Sequence, residues 1–416
     1  MQAFEYRQDA LCCEGVTLAR AAEEFGTPAY VYSRAKILAN FHRLVEPLGR
    51  ISGLACYSVK ANSNLAILKL LADAGSGFDV VSRGELARVL RVGARPERIV
   101  FSGVGKTREE IDAALETGLL MLNLESAGEL ELVEERARRR GRAPAPVSIR
   151  INPDVEADTH PYISTGRTIH KFGVPKGEAP ALYRRAAASP HLEIRGVACH
   201  IGSQILEVEP FLRAADEVLR LARDLRSEGI AAGFLDLGGG FGIPYSDERP
   251  FEFERLFAEL GARFQSSGFR PILEPGRSLV GAAGALLTHV LYIKETERKR
   301  FVVVDAGMND LLRPALYGSY HEILPVERRP GPLSPADVVG PLCETGDFLA
   351  RERALPELRP GDLIAVLGAG AYGYVLASNY NSRPRPVELL IEGARARLVR
   401  RRETLDDLMS GETTLL

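Results

Sequence analysis

The chain has 416 residues, of which 45% are hydrophobic and 26% are charged, and its formal net charge is −2. This length predicts two domains, and the small net charge, with no apolar run near the roughly 20 residues of a membrane span, indicates neither a nucleic-acid nor a membrane partner. The five cysteines show no C-x-x-C pair and no metal-finger spacing, so we expect a reduced, cytoplasmic protein with no structural disulfide and no metal site.

The N-terminal segment predicts short β-structure and two helices, and it lacks the basic and apolar regions of a signal peptide. A strand is expected near Tyr6, a helix over 17–25 and a β-strand over 29–32. A second helical pattern covers 33–46, and we expect it to end just before Pro47.

From residue 54 onward, apolar runs and amphipathic helix patterns alternate along the chain. Eight apolar runs occur, at 54–59, 78–82, 99–103, 121–126, 147–153, 196–202, 234–240 and 271–276. Short buried strands that alternate with helices indicate parallel βαβ units. An open doubly wound sheet is the alternative, but eight equivalent units across about 220 residues favour a closed (β/α)8 barrel.

After about residue 280 the helical pattern fades, and strand-like runs punctuated by proline and glycine follow. We therefore predict an α/β chain with a barrel domain over 35–280. The β-rich domain would consist of 281–416 together with 1–34, because the N-terminal strands need partners. A long polar segment, 154–177, follows the fifth barrel strand, and such loops are usually functional.

The reacting groups of such barrels lie at the C-terminal ends of the strands. The residues found there are Lys60 after the first strand, His200 and Ser203 after the sixth, 238–240 (GGG) after the seventh, and Glu274, Gly276 and Arg277 after the eighth. Each has an ordinary explanation alone: a solvent lysine, a core histidine, a tight turn or a salt bridge. Together they predict a cofactor with an aldehyde, an aromatic ring, a ring nitrogen and a phosphate, and pyridoxal 5′-phosphate has all four.

Three of these residues would serve the aldehyde and the ring. Lys60 would form a Schiff base with the aldehyde, since a lysine at the end of a buried strand is costly without such a use. His200 would stack on one face of the ring. Glu274 would lie beside the pyridine nitrogen, where a carboxylate favours the protonated ring, which is the stronger electron sink.

The other residues at these strand ends would hold the phosphate. Gly239 and Gly240 have no side chain, so backbone N–H groups can approach the phosphate closely. Ser203 and the backbone of Gly276 and Arg277 could complete this phosphate cradle.

These motifs resemble the fold type III, alanine-racemase-like barrel decarboxylases, and most closely the branch that acts on diaminopimelate. The likeness covers nearly the whole chain, and its segments are 57–62 (YSVKAN), 160–166 (HPYISTG), 171–173 (KFG), 200–204 (HIGSQ), 238–240 (GGG), 274–277 (EPGR), 305–310 (DAGMND), 313–317 (RPALY), 340–344 (GPLCE) and 370–372 (GAY). The resemblance implies pyridoxal phosphate-dependent decarboxylation of meso-2,6-diaminopimelate to L-lysine and CO2, the last step of lysine biosynthesis.

The resemblance also implies a head-to-tail homodimer in which Cys343 and Glu344 complete the active site of the other subunit. Cys343 would donate the proton to the substrate carbon after CO2 leaves. A free cysteine is more often a small buried hydrophobe, so this role depends on the matched motif. Tyr372 would contact the cofactor phosphate and the substrate.

The residues also bear on the substrate. A decarboxylase for ornithine or lysine meets only a distal ammonium, whereas diaminopimelate carries a second amino-acid head and needs cations as well. Arg277 and Arg313 can each pair with the distal carboxylate through a bidentate fork. Glu344 can take the distal ammonium, and Tyr317 can add a hydroxyl.

Other functions remain open at this point. The main alternative is a related barrel decarboxylase for arginine, ornithine or a carboxylated polyamine, which a substrate panel would separate. A racemase is disfavoured because Cys343 is a single proton donor and the substrate loops are long. A non-catalytic homologue would be expected to lose Lys60 or Cys343. A barrel with no cofactor would lack the absorbance of a lysine-bound aldehyde.

Overall fold

The computed structural model describes residues 2–155 and 171–413. The chain divides into two compact units, here called the barrel unit and the β unit. The barrel unit is Phe41–Ile243 with Arg249–Ser278, and the β unit is Met1–Asn40 with Pro244–Glu248 and Leu279–Leu416. Among the described residues, no helix combines the length and apolar character needed to cross a bilayer.

The N-terminal segment forms its own small sheet before the main elements begin. Its elements are β1 (Phe4–Arg7), β2 (Ala10–Cys13), β3 (Val16–Thr17), α1 (Leu18–Phe25), β4 (Ala29–Ser33) and α2 (Arg34–Arg50). Strands β1–β3 form an antiparallel sheet. The predicted helix end before Pro47 is wrong, because α2 continues through it. Pro47 has no N–H and so removes one bond of the helix ladder, and the helix extends only three residues beyond it.

Eight parallel strands close into a barrel, which confirms the predicted fold class. The strands in this part of the chain are β5 (Leu54–Ser58), β6 (Gly77–Val80), β7 (Ile99–Phe101), β8 (Met121–Leu124), β9 (Ala145–Asn152), β10 (Val174–Pro175), β11 (Leu192–Cys199), β12 (Phe234–Asp236) and β13 (Arg270–Leu273). Closure occurs where β13 pairs with β5, with Ile272 opposite Leu54. The short strand β10 is an addition to the barrel, paired with β9.

Helices follow the barrel strands, and side-chain caps fix where several of them begin. The helices are α3 (Leu65–Asp73), α4 (Arg83–Arg91), α5 (Arg108–Thr117), α6 (Ala127–Arg140), α7 (Ala179–Ala187), α8 (Glu209–Ser227), α9 (Phe253–Phe264) and α10 (Arg277–Val280). Thr107 and Glu110 form a capping box at the start of α5, and Asn64 caps α3 with its side chain. Such caps satisfy the first N–H groups of a helix and so restrict the loops that carry the site.

The β unit places an N-terminal strand in the middle of a C-terminal sheet. Its remaining elements are β14 (Gly284–Glu295), β15 (Arg300–Val304), α11 (Arg313–Tyr317), β16 (Ile323–Pro325), β17 (Ser334–Val339), β18 (Phe348–Leu355), β19 (Leu363–Leu367), β20 (Val387–Glu392), β21 (Arg395–Arg400) and α12 (Leu405–Met409). Strand β4 lies between β14 and β20, antiparallel to the first and parallel to the second. The expectation that N-terminal strands join this domain is therefore confirmed.

Candidate active site

Lys60 lies in a short 3-10 turn, Val59–Ala61, directly after β5. Its Nζ atom is 2.9 Å from Oδ2 of Asp79 on β6. The lysine side chain is 37% exposed, whereas that of Asp79 is fully buried. Ser58 Oγ donates to the same carboxylate oxygen at 3.0 Å. The amine is therefore accessible and is also held in place by an ion pair.

Asp79 is a site residue that the sequence analysis missed. Its Oδ1 atom is buried and has no hydrogen-bond partner among the described residues. A buried carboxylate with one unsatisfied oxygen is costly and marks a functional position. The available signal was an acidic residue inside an apolar run, Phe78-Asp79-Val80, at the end of a barrel strand.

His200 directly follows β11, at the predicted rim. The backbone N–H of Gly239 donates to its Nδ1 atom at 3.2 Å. Burial, with the positive charges of Arg150 and Lys60, lowers the pKa of the His200 imidazole well below its ordinary value. Because Nδ1 accepts a hydrogen bond, the neutral ring carries its proton on Nε2. An uncharged imidazole can stack on an aromatic ring without a desolvated charge.

The glycine cluster leaves room that no other residue would leave. A Cβ atom at Gly239 would lie 1.9 Å from the carbonyl oxygen of Glu274, and one at Gly240 would lie 2.2 Å from the carbonyl oxygen of Gly202. Gly240 also has a φ of +103°, which L-residues rarely adopt. Glycine is therefore required at both positions by close backbone approach to Glu274 and Gly202, and the absence of side chains also fits the predicted phosphate cradle.

Ser203 and Arg277 meet beside this cluster. Arg277 Nη2 donates to Ser203 Oγ at 3.1 Å, and the Arg277 side chain is buried. Gly276 precedes α10, and a Cβ there would lie 3.0 Å from Cβ of Ala61 and 3.1 Å from Cβ of Ser58. The cradle residues are therefore packed against the segment that carries Lys60. The donor set of a hydroxyl and backbone N–H groups suits a phosphate.

Glu274 is buried at the C-terminal end of β13. Burial raises the pKa of its carboxyl well above the ordinary value, and the negative charges of Asp236 and Asp79 raise it further. Asp236 accepts hydrogen bonds from Asn123 Nδ2 at 2.9 Å and from the Gly238 N–H at 3.0 Å. A protonated ring nitrogen beside Glu274 would supply the positive charge that favours its carboxylate form. The residues present therefore fit pyridoxal phosphate.

A second buried charge network, also missed from the sequence, involves Arg150 on β9 and Glu125 directly after β8. Arg150 Nη1 donates to Glu125 Oε1 at 2.8 Å, and Glu125 Oε2 accepts from the Gly173 N–H at 2.8 Å. Lys106 Nζ lies 3.0 Å from Glu129, and burial lowers the pKa of this lysine. The network ties Gly173, in the polar segment 154–177, to the barrel. Most of that segment, including 160–166, lies outside the described residues.

The predicted substrate arginine Arg313 begins α11 in the β unit and is buried. Its Nη1 atom is 2.8 Å from Nε2 of His321. Tyr317 ends the same helix and is half-buried. Tyr372 is also half-buried and has a φ of +55°, in the left-handed region. A bulky residue in that conformation is strained, and such strain clusters at functional sites.

Cys343 and Glu344 lie together on an exposed part of the β unit. The Cys343 N–H donates to Asn381 Oδ1 at 2.8 Å, and Glu344 Oε2 accepts from the Tyr380 hydroxyl at 3.3 Å. Cys343 is exposed, whereas the other four cysteines are buried. An exposed thiol is accessible for chemistry, which the buried thiols are not.

The structure thus gathers Lys60, His200 and the residues of the seventh and eighth strand ends on one rim. It places Arg313, Tyr317, Cys343, Glu344 and Tyr372 in the β unit. The three-dimensional arrangement adds Asp79, Asp236 and Arg150 to this set.

Replacing Gly239 with alanine is expected to weaken cofactor binding by roughly 10-fold or more and to cost about 1–3 kcal/mol of unfolding free energy. The new Cβ would collide with the Glu274 backbone and displace the segments that carry the predicted phosphate cradle and Glu274. Titration of pyridoxal phosphate by absorbance and denaturant unfolding measure the two effects. Gly128→Ala on α6 is the matched control, because its Cβ would meet nothing within 4 Å. Unchanged cofactor affinity in Gly239→Ala would contradict the phosphate assignment.

The chain is similar to known pyridoxal-dependent decarboxylases in sequence and in structure. Residues 34–281 match the family described as pyridoxal-dependent decarboxylase, pyridoxal binding domain. The chain is 51% identical to a diaminopimelate decarboxylase of Pseudomonas aeruginosa, over 100% of both chains. A crystal structure of the Helicobacter pylori diaminopimelate decarboxylase, complexed with L-lysine, superposes with a TM-score of 0.91 at 45% identity, covering 95% of this chain and 98% of that one. The M. jannaschii diaminopimelate decarboxylase gives a TM-score of 0.94 at 38% identity, covering 99% of this chain and 98% of that one.

Proposed function

The chain belongs to the pyridoxal-dependent decarboxylases, and from that premise we propose that it removes one carboxyl group of meso-2,6-diaminopimelate as CO2 and leaves L-lysine. The observation that carries this proposal is the 51% identity, over the full length of both chains, to a diaminopimelate decarboxylase. The reaction is the last step of lysine biosynthesis. A cytoplasmic location agrees with four buried, unpaired cysteines.

Bound pyridoxal phosphate supplies the electron sink that accepts the electron pair of the breaking C–CO2 bond. Lys60 would bind the aldehyde, and its amine is held by Asp79, which also accepts a hydrogen bond from Ser58. His200 presents a neutral ring face to the cofactor. Glu274 would become the carboxylate beside a protonated ring nitrogen, whose positive charge offsets the effect of burial, and would hold the proton there.

The remaining assigned residues handle the substrate and its proton. Arg277 and Arg313 pair with the distal carboxylate, and Glu344 takes the distal ammonium. Tyr317 and Tyr372 add hydroxyl contacts, the latter also at the phosphate. Cys343 protonates the substrate carbon after CO2 leaves. We infer a homodimer in which Cys343 and Glu344 of each subunit serve the site of the other.

A CO2-release assay with added pyridoxal phosphate tests the activity directly. We expect turnover of meso-diaminopimelate and much slower release from arginine, ornithine, lysine and a carboxylated polyamine. Faster release from any of those acids would replace the proposed substrate with that acid.

Replacing Arg313 with alanine is expected to raise KM for diaminopimelate by roughly 10-fold or more, because a charge-assisted hydrogen bond to the distal carboxylate is lost. The affinity for pyridoxal phosphate should stay within about 2-fold of wild type, since Arg313 is assigned to the substrate alone. Steady-state kinetics and cofactor titration provide both values. Arg220→Ala serves as the control, because this exposed arginine of α8 pairs with Glu217 on the same helix. An unchanged KM in Arg313→Ala would disprove the distal-carboxylate assignment.

A further inference from the structure

We propose that His321 is a positioning residue that holds the guanidinium of Arg313 in the orientation required to pair with the second carboxylate of the substrate. This inference rests on the proposed function, because it extends the role given there to Arg313. Nothing in the sequence patterns pointed to His321, which lies outside the matched motif 313–317.

Two hydrogen bonds, one at each ring nitrogen, fix the tautomer and the orientation of the His321 imidazole. His321 is fully buried, and its Nδ1 atom is 2.8 Å from the carbonyl oxygen of Leu367 on β19. A carbonyl oxygen can only accept, so Nδ1 carries the proton. The Nε2 atom, 2.8 Å from Arg313 Nη1, is therefore the acceptor for the guanidinium. Strand β19 thus holds His321 in one orientation, and His321 holds the guanidinium of Arg313.

The second support is an aromatic surface on another side of the same guanidinium. Arg313 stacks on the ring of Tyr245, with 4.6 Å from the guanidinium carbon to the ring centroid. Tyr245 also meets the His321 ring edge to face, with centroids 5.3 Å apart. A Cβ at Gly368 would lie 3.2 Å from the Tyr245 ring and 3.7 Å from His321 Nδ1. The small residue at this turn leaves space for the three side chains to pack together.

The partner of the Arg313 guanidinium, His321, is a neutral acceptor. A neutral imidazole orients a guanidinium without cancelling its charge, whereas an aspartate or glutamate in the same place would form an ion pair with it. An arginine that must attract a carboxylate is better held by such a neutral acceptor and an aromatic face. Holding the Arg313 side chain in one orientation before binding reduces the conformational entropy that this side chain loses when the substrate binds. The expected consequence is a lower KM rather than a faster chemical step.

The test compares His321→Leu, His321→Gln and Arg313→Ala in the holoenzyme. His321→Leu removes the acceptor and should raise KM for meso-diaminopimelate about 10-fold while kcat changes less than about 2-fold. Inhibition by L-lysine, which lacks the second carboxylate, should be unchanged. His321→Gln should recover most of the loss, because its amide can accept from Arg313 and donate to the Leu367 carbonyl.

A double variant separates positioning from simple structural support. If His321 acts through Arg313, then Arg313→Ala combined with His321→Leu should be no worse than Arg313→Ala alone. Additive effects, equal losses in kcat and KM, or weaker inhibition by L-lysine would overturn the inference. Should His321→Leu not fold, Tyr245→Leu removes the stacking surface instead. It should raise KM while kcat and inhibition by L-lysine stay nearly unchanged, and an unchanged KM in this variant overturns the inference.

The two proposals fail in different ways. A wild-type enzyme that releases no CO2 from diaminopimelate would overturn the proposed function and, with it, the substrate that Arg313 is oriented to meet. An active wild-type enzyme whose KM is unaffected by His321→Leu would overturn only the positioning role.

Discussion

Replacing Lys60 with alanine is expected to reduce CO2 release by about 10^3-fold or more and to abolish the absorbance band that pyridoxal phosphate shows when its aldehyde is joined to a lysine. The amine is the group proposed to bind the aldehyde, and it lies 2.9 Å from Oδ2 of Asp79. Steady-state CO2 release and the absorbance spectrum of the reconstituted protein measure the two effects.

A lysine elsewhere on the barrel unit provides the matched control. Lys69 is exposed on α3 and pairs with Asp73 one turn away, so Lys69→Ala should leave both the absorbance band and the turnover near wild type. A Lys60→Ala protein that kept the band would show that another amine binds the aldehyde. Normal turnover without the band would remove the cofactor from the mechanism.

The barrel could be predicted because its determinants are local. Each apolar run and each helical pattern is readable within about ten residues, and eight repeats leave few closed arrangements. The rim residues Lys60, His200 and Glu274 could be placed for the same reason, since the position of a residue at a strand end decides which face of the barrel it reaches. The end of α2 was misjudged because a proline weakens a helix without always ending it, and α2 continues three residues past Pro47.

The missed residues depend on pairings between distant segments. Asp79 becomes a site residue only when β6 lies beside β5 and brings its carboxylate to Lys60. Likewise, Tyr245 and His321 acquire a role only because both reach Arg313, which no local spacing indicates. Residue type alone could not separate these groups from ordinary buried polar residues. The polar residues at strand ends were predictable as a set, whereas the contacts that orient them were not.

Replacing Cys343 with alanine is expected to slow turnover by about 10^2-fold or more while cofactor affinity and the absorbance band stay near wild type. The thiol is assigned to protonate the substrate carbon after CO2 leaves, and it is the exposed cysteine of the five. Cys343 lies in the β unit and Lys60 in the barrel unit, so we expect no change in the bond between Lys60 and the cofactor aldehyde. Turnover near wild type would remove its role as the acid.

Mixing the two inactive variants tests whether the site is shared between subunits. In a Lys60→Ala and Cys343→Ala heterodimer, one of the two sites has both an intact lysine and an intact cysteine if each site draws Cys343 from the other subunit. Random exchange makes half of the dimers mixed, so up to about one quarter of wild-type activity should return. If both residues of a site came from one chain, no mixture could restore activity. Mixing Lys60→Ala with itself after the same exchange treatment is the control, and it should stay inactive.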